Sequence, residues 1–287
     1  MNAKKDSLVA FLPSDVAAVV NSELNQAAKY KQQSEPAAIL LAGQPGAGKT
    51  VLSSMLNKLL HGDVYFINAD EYRRFHPNYK KLYAAYGSDS VQMTNSFSGT
   101  VTEHLIQELS NRGINLIIEG TGRTTAVPHR TAELLINKGY KVELAVIATR
   151  PEQSLCSTIL RFYEMNAGGT IPRATATEAH DHIVSVLPDN LDVLHTDPAI
   201  ARITIWDRSP NKIYDSNENN DFPSEALRHY WNRPWSDEER QQMFQMISLL
   251  REKEETYHLG QTSSIDELER RIQHIVLAPK PSFDLTM

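Results

Sequence analysis

An eight-residue run, Gly43-Gln44-Pro45-Gly46-Ala47-Gly48-Lys49-Thr50, constrains the fold of this chain more than any other segment. It fits the phosphate-loop pattern G-x-x-x-x-G-K-S/T at every fixed position. Such a loop joins a buried strand to a helix, and both are legible around it. Ala37-Ala38-Ile39-Leu40-Leu41-Ala42 is a short, continuous apolar run, as buried strands are, and Val51 to Leu60 carries apolar residues at helical spacing. Glycines let successive backbone N–H groups turn inward on anionic oxygens, and the helix N-terminus adds the positive end of its dipole. Lys49 is placed to reach the β- and γ-phosphates of a nucleotide, and the Thr50 hydroxyl to ligate Mg²⁺. Gly43, Gln44, Pro45, Gly46, Ala47, Gly48, Lys49 and Thr50 are therefore the candidate nucleotide-binding residues. A Gly-rich turn that binds nothing is the alternative. The coincidence of strand, loop, Lys-Thr pair and helix weighs against it.

The rest of the chain repeats the strand–helix alternation. Ser14 to Lys31 has helical spacing with Ser14 as a plausible N-cap, and Glu35-Pro36 ends it. Strand-like runs follow at Ile39–Ala42, Val64–Asn68, Leu116–Glu119 and Val142–Thr149, with helices over about Val51–Leu60, Thr100–Arg112 and Val127–Lys138. This pattern predicts an α/β fold with a mostly parallel sheet flanked by helices. Two more helical segments precede a further strand at Ile203–Trp206. From about Ser224 the character becomes helical. Ser236-x-x-Glu239 and Ser264-x-x-Glu267 read as capping boxes ahead of amphipathic helices. The expected organisation is an N-terminal helix in residues 1–35, a phosphate-loop core over 36–219, and a helical appendage with a tail over 220–287.

Composition narrows the function classes. At 287 residues and 41% hydrophobic, the chain can bury a sizeable core. A net charge of −6 without a long basic block argues against a nucleic-acid partner. Cys156 is the single cysteine, so no intrachain disulfide forms, and its helical surroundings make it a small core residue. Residues 1–30 show no signal-peptide core, and no run approaches the ~18 apolar residues of a membrane span. These features predict a cytoplasmic protein with no membrane partner.

A phosphate cradle does not define what receives the phosphate. Ligands of open α/β sheets bind beyond the carboxyl ends of the strands. The second strand ends in Ala69-Asp70-Glu71-Tyr72-Arg73-Arg74-Phe75-His76-Pro77, which places Asp70 either as a general base facing an acceptor hydroxyl or as the N-cap of the next helix. The third strand ends in Glu119-Gly120-Thr121-Gly122-Arg123-Thr124-Thr125. Glu119, Thr121 and Arg123 suit hydrogen bonding to a polyhydroxylated acceptor or organising Mg²⁺; a polar turn with a helix cap is the alternative. Further on, Arg161 and Arg173 flank a Gly-containing segment. Near a phosphate loop they would neutralise a transferring phosphoryl group, but most arginines are simply solvated.

Taken together, G-Q-P-G-A-G-K-T, I-N-A-D-E-Y-R-R-F-H-P, I-I-E-G-T-G-R-T-T, R-F-Y-E and P-R-A-T resemble the zeta toxin kinases of bacterial toxin–antitoxin systems. The resemblance runs from about residue 36 to Tyr214 and includes His180-Asp181 and Leu187-Pro188-Asp189-Asn190-Leu191. It implies a P-loop kinase fold and ATP- and Mg²⁺-dependent phosphorylation of the 3′-hydroxyl of UDP-N-acetylglucosamine, which blocks peptidoglycan synthesis. It implies a cognate antitoxin as partner. Carried over by motif, Lys49 and Thr50 hold phosphates and Mg²⁺, and Asp70 is the base. Glu119 belongs to the metal and acceptor region with Thr121, Arg161 and Arg173 stabilise the transferring group, and Glu103 contacts the sugar. The competing readings are a kinase for another small hydroxyl metabolite or dinucleotide, a nucleotide-driven regulatory switch, and an idle binding protein. The switch fits poorly, because Asn211-Lys212-Ile213-Tyr214-Asp215 has one residue too many for the guanine-reading N-K-x-D pattern.

Overall fold

In the computed structural model, which describes residues 7–277, the six strands form one sheet in the order β2-β3-β1-β4-β5-β6. The strands are β1 (Ala37–Ala42), β2 (Tyr65–Asn68), β3 (Leu116–Glu119), β4 (Lys141–Ile147), β5 (Arg202–Trp206) and β6 (Lys212–Asp215). The phosphate-loop strand is central. Leu40 pairs in parallel register with Ile118 on one side and Leu144 on the other. Only β6 runs antiparallel, joined to β5 with an irregularity at Ile205/Trp206; sequence spacing did not foresee it.

The longer helices are α1 (Pro13–Gln26), α2 (Lys49–Leu59), α3 (Tyr79–Tyr86), α4 (Asn95–Asn111), α5 (Ala126–Ile136), α6 (Pro151–Ala167), α7 (Thr177–His195), α8 (Pro223–Asn232), α9 (Asp237–Tyr257) and α10 (Thr262–Leu277). Alternation along β1 sets the two faces of the sheet. Ala38, Leu40 and Ala42 join one cluster with Val19 of α1, Leu105 of α4 and Leu191 of α7. Ile39 and Leu41 join another with Leu52 and Leu56 of α2. The parallel strands, buried on both faces, therefore read as unbroken apolar runs.

Several boundaries differ from the sequence reading. Helix α1 starts at Pro13, with Leu12 and not Ser14 at the N-cap; the Leu12 N–H donates to the Asp15 carboxylate at 2.7 Å. Proline at the first helical position lacks only an N–H that would be orphaned there anyway. The Ser236 box forms: the Glu239 N–H donates to Ser236 Oγ at 3.2 Å, and the Ser236 N–H to Glu239 Oε2 at 3.0 Å. The Ser264 box does not form. Helix α10 begins at Thr262, and Glu267 instead accepts from Arg271 Nε at 2.8 Å. The run Ser7–Lys29 has the length and composition of a membrane-spanning helix, contrary to the sequence estimate. Its Val16, Val19 and Val20 nevertheless pack into the main core.

The helical region after 220 divides in two. Leu227 of α8 belongs to the main core. In contrast, α9 and α10 pack on α6, where Leu155, Cys156, Ile159 and Tyr163 meet Met243, Ile247, Leu250, Ile265 and Leu268. Cys156 is buried there, as its sequence context predicts. Arg150, between β4 and α6, clamps the α8–α9 junction. Its guanidinium donates to the carbonyls of Trp231 (2.9 Å), Arg233 (2.7 Å) and Pro234 (3.0 Å) and lies 4.5 Å from the centre of the Trp235 ring. The side chain is 1% exposed, so its guanidinium depends on these carbonyls in place of water. Arg150→Met is therefore expected to lower stability in urea unfolding by about 3–5 kcal/mol, the scale for breaking a buried charged network. Activity per folded molecule should be retained.

Candidate active site

The loop after β1 lies directly on the first turn of α6. A Cβ on Gly46 would come 2.1 Å from the Ser154 carbonyl oxygen, which is why only glycine fits. Gly48, at φ 100°, caps α2 in the left-handed region that glycine adopts without strain. Gln44 is fully buried and donates through Nε2 to the Thr149 carbonyl at 2.6 Å and to Ser154 Oγ at 3.2 Å. Lys49, almost fully buried, folds over the loop: Nζ donates to the carbonyls of Gly43 (2.8 Å) and Gln44 (3.3 Å) and lies 3.8 Å from Glu119 Oε1. Burial lowers the Lys49 pKa, and the charges of Glu119 and Asp70 only partly restore it. Thr50 is exposed in the first turn of α2, with its hydroxyl free for a ligand.

The carboxyl edge of the sheet carries the acidic groups. Asn68, the last residue of β2, is the true N-cap of the short helical turn that follows; its Oδ1 accepts from the Asp70 N–H at 3.0 Å. The Asp70 carboxylate is thereby released from capping and points into the cleft. Asn68 Nδ2 also donates to Glu119 Oε2 at 3.1 Å, tying the ends of β2 and β3 together. Arg73 Nε donates to Asp70 Oδ1 at 2.8 Å, while its Nη1 is anchored on the Val91 carbonyl at 2.7 Å. Desolvation pushes Asp70 upward, but Arg73, Arg173 and Arg161 outweigh it and hold the carboxyl below the usual aspartate value. Glu119 goes the other way. Burial raises it above the ordinary glutamate value, and Asp70 adds to that, while Lys49 and Arg161 pull it back.

Lys49, Asp70, Glu119, Thr121, Arg123 and Arg161 line one cleft, with Pro45 and Gly46 at its floor. Arg161 enters from α6, and burial lowers its pKa further than its neighbours Asp70 and Glu119 raise it. Arg173 is not in the lining, but its Nη1 donates to the Asp70 carbonyl at 2.8 Å and its Nη2 reaches Glu71 at 3.5 Å. It braces the segment that presents Asp70. Glu103 is exposed on α4 and outside the cleft lining. Asn68 and Arg73 escaped the sequence reading. The only available signals were an Asx residue two before Asp70 and an arginine one helical turn after it.

The donor set suits a nucleotide with Mg²⁺. Among the described residues there is no group of three or more His, Cys, Asp or Glu side chains that would hold a metal alone. A phosphate-bound Mg²⁺ needs only one or two protein oxygens, which Glu119 in the cleft lining and Thr50, exposed next to Lys49 outside that lining, can offer.

A parallel sheet in this order, with a phosphate loop leading into α2 and carboxylates beyond β2 and β3, defines a P-loop kinase fold. Comparison with known proteins carries the assignment further. The family described as Zeta toxin matches residues 21–219. Toxin PezT of Streptococcus pneumoniae serotype 4 is 42% identical over 214 residues, 74% of this chain and 85% of that protein. Toxin zeta of Streptococcus pyogenes is 37% identical over 244 residues, 84% of this chain and 85% of the relative. A solved structure from the PezAT chromosomal toxin–antitoxin system of Streptococcus pneumoniae superposes with a TM-score of 0.74 at 34% identity, covering 92% of this chain and 99% of that one. The chain belongs to the zeta toxin family.

Proposed function

We propose that this protein transfers the γ-phosphate of ATP to the 3′-hydroxyl of UDP-N-acetylglucosamine and so withdraws a precursor of peptidoglycan. The observation that carries the reading is the meeting of Lys49 with Asp70 and Glu119 in one cleft. In this reading the loop N–H groups and Lys49 bind the donor phosphates. Lys49 leaves the carbonyls of Gly43 and Gln44 to do so. Asp70, ionised because of its arginine neighbours, orients the acceptor hydroxyl and accepts its proton at Oδ2, since Oδ1 is held by Arg73. Arg161 neutralises charge that develops on the transferring group, and Arg173 holds the Asp70 segment in place. Thr121 and Arg123, which line the cleft, are assigned to the sugar-nucleotide side, and the sugar contact of Glu103, outside that lining, rests on the family resemblance alone. Mg²⁺ bound at Thr50 and Glu119 would supply charge neutralisation between the phosphates.

The PezAT structure belongs to a toxin–antitoxin system, which supports a cognate antitoxin for this chain as well. We place the reaction in the cytoplasm, where ATP and nucleotide sugars occur together. Brief expression followed by mass spectrometry of the nucleotide-sugar pool tests the reading. It should show UDP-N-acetylglucosamine carrying one additional phosphoryl group. An unchanged pool in cells holding folded protein overturns the assignment, and phosphorylation of another hydroxyl metabolite moves it to the competing kinase reading.

A further inference from the structure

The last helix reaches the phosphate loop through a polar relay that is partly exposed at Arg271 and Asp181 and buried from His180 to Gln44. Arg271 of α10 grips Asp181 with both terminal nitrogens, Nη1 to Oδ1 at 3.0 Å and Nη2 to Oδ2 at 2.6 Å. Asp181 Oδ1 lies 3.0 Å from His180 Nδ1, and His180 Nε2 lies 2.8 Å from Ser154 Oγ. Ser154 Oγ is the acceptor of the Gln44 amide at 3.2 Å. Gln44, Ser154 and His180 are each 0% exposed.

The chemistry gives this chain a direction. Nδ1 faces a carboxylate and therefore carries the proton. Burial lowers the His180 pKa, so the ring is neutral and its Nε2 is an acceptor 2.8 Å from Ser154 Oγ, whose hydroxyl also has the Pro151 carbonyl in reach at 2.9 Å. Ser154 in turn accepts from Gln44. Gln44 donates to Ser154 and His180 donates to Asp181, so both ends of the chain are polarised, and Arg271 closes it from the other side. Apolar packing alone would hold α10 on α6, where Leu268 and Ile272 already meet Leu155. A buried polar chain is costly unless each member is satisfied, so losing one link reorients the others.

The relay ends where the loop is set. The Gln44 side chain is held by Ser154 and Thr149, and its Oε1 is buried without a partner, so nothing else fixes its orientation. The Gln44 main-chain carbonyl accepts from Lys49 Nζ, and Gly46, two residues on, rests on the Ser154 carbonyl. We propose that α10 is part of the nucleotide site. Arg271, Asp181, His180 and Ser154 act as positioning residues that hold Gln44, and with it the loop backbone, in the phosphate-binding arrangement. Arg271 lies beyond residue 219, where the family match ends, so this support comes from outside the matched region. The inference rests on the loop being a nucleotide site.

The test compares the full chain with Arg271→Leu, Arg271→Lys and Asp181→Asn. Binding of a fluorescent ATP analogue should weaken about 3- to 30-fold in Arg271→Leu, the range seen for residues that couple to a site without touching it. Arg271→Lys should recover more than half of the loss, and the acceptor KM should stay unchanged. Without nucleotide, amide exchange at residues 43–48 should quicken in Arg271→Leu and Asp181→Asn while α9 stays protected. Wild-type nucleotide affinity together with wild-type exchange in both variants overturns the relay, even if the melting temperature falls. A wild-type protein that binds no nucleotide would instead overturn the reading of the loop, and the exchange data would still judge the relay. Should Arg271→Leu not fold, Asp181→Asn and Arg271→Lys carry the comparison.

Discussion

Lys49→Ala is expected to reduce phosphoryl transfer by about 10²–10⁴-fold, the scale for removing a preorganised charge from a transferring phosphoryl group. The loss has two physical sources. The first is the missing cation itself, already held over the loop by the carbonyls of Gly43 and Gln44. The second is its effect on Glu119. Burial and Asp70 raise the Glu119 pKa, and Lys49 is the foremost charge opposing them. Without Lys49 the Glu119 pKa rises further, which weakens it as an oxygen ligand near neutral pH. The variant should still fold, because Lys49 belongs to none of the three apolar clusters. Turnover and melting temperature measured on one preparation check this. Near-normal turnover by folded Lys49→Ala protein would remove the phosphate loop from the chemistry.

Asp70→Asn should cost about 10²–10⁴-fold in turnover with ATP binding retained, the usual contribution of a positioned general base. The melting temperature separates this from a capping role. Asn68, not Asp70, caps the turn, so the substitution removes no cap. It does remove the ion pair to Arg73, which involves a half-exposed carboxylate and is worth at most about 1 kcal/mol. The pH dependence sharpens the test. As pH falls, Glu119 protonates first, above the ordinary glutamate value of 4.5, because its pKa is raised. Asp70 protonates only below 3.8, because its pKa is lowered. The acidic limb of kcat/KM in the wild type should therefore report Glu119, and Glu119→Gln should move that limb to lower pH, where Asp70 protonates. A limb that stays in place in Glu119→Gln would assign it elsewhere. Ordinary turnover by folded Asp70→Asn protein would take Asp70 out of the mechanism.

Much of the scaffold was legible because its signals are local. Ala37–Ala42 and Leu116–Glu119 are unbroken apolar runs, and strands buried on both faces look like that. The loop glycines announce backbone shapes that other residues reach only with strain. The segment from 69 to 93 was not legible, because its helical pieces run only three to eight residues and show too few turns for a period to appear. Caps at Ser14 and Ser264 misled because a Pro13 start and the Thr262 start lie one or two residues away, within the reach of helix fraying. The site divides along the same line. Glu119 ends a strand, Asp70 lies two residues past one, and Lys49 lies in the loop motif, all positions that the sequence marks. The contact of Arg173 with Asp70 spans 103 positions, and the Arg271–Asp181 clamp spans 90, so neither leaves a trace in local pattern.

The strand order has a consequence for the nascent chain. β1 precedes the other strands, yet both of its edges are closed by later segments, through Ile118 and Leu144. A ribosome that has made the phosphate loop has therefore not made a site. The loop's bed at Ser154, the phosphate-side Arg161 and the brace at Arg173 all emerge afterwards. The site is thus completed only after Arg173 has been made, more than a hundred residues behind the loop that the sequence announces first.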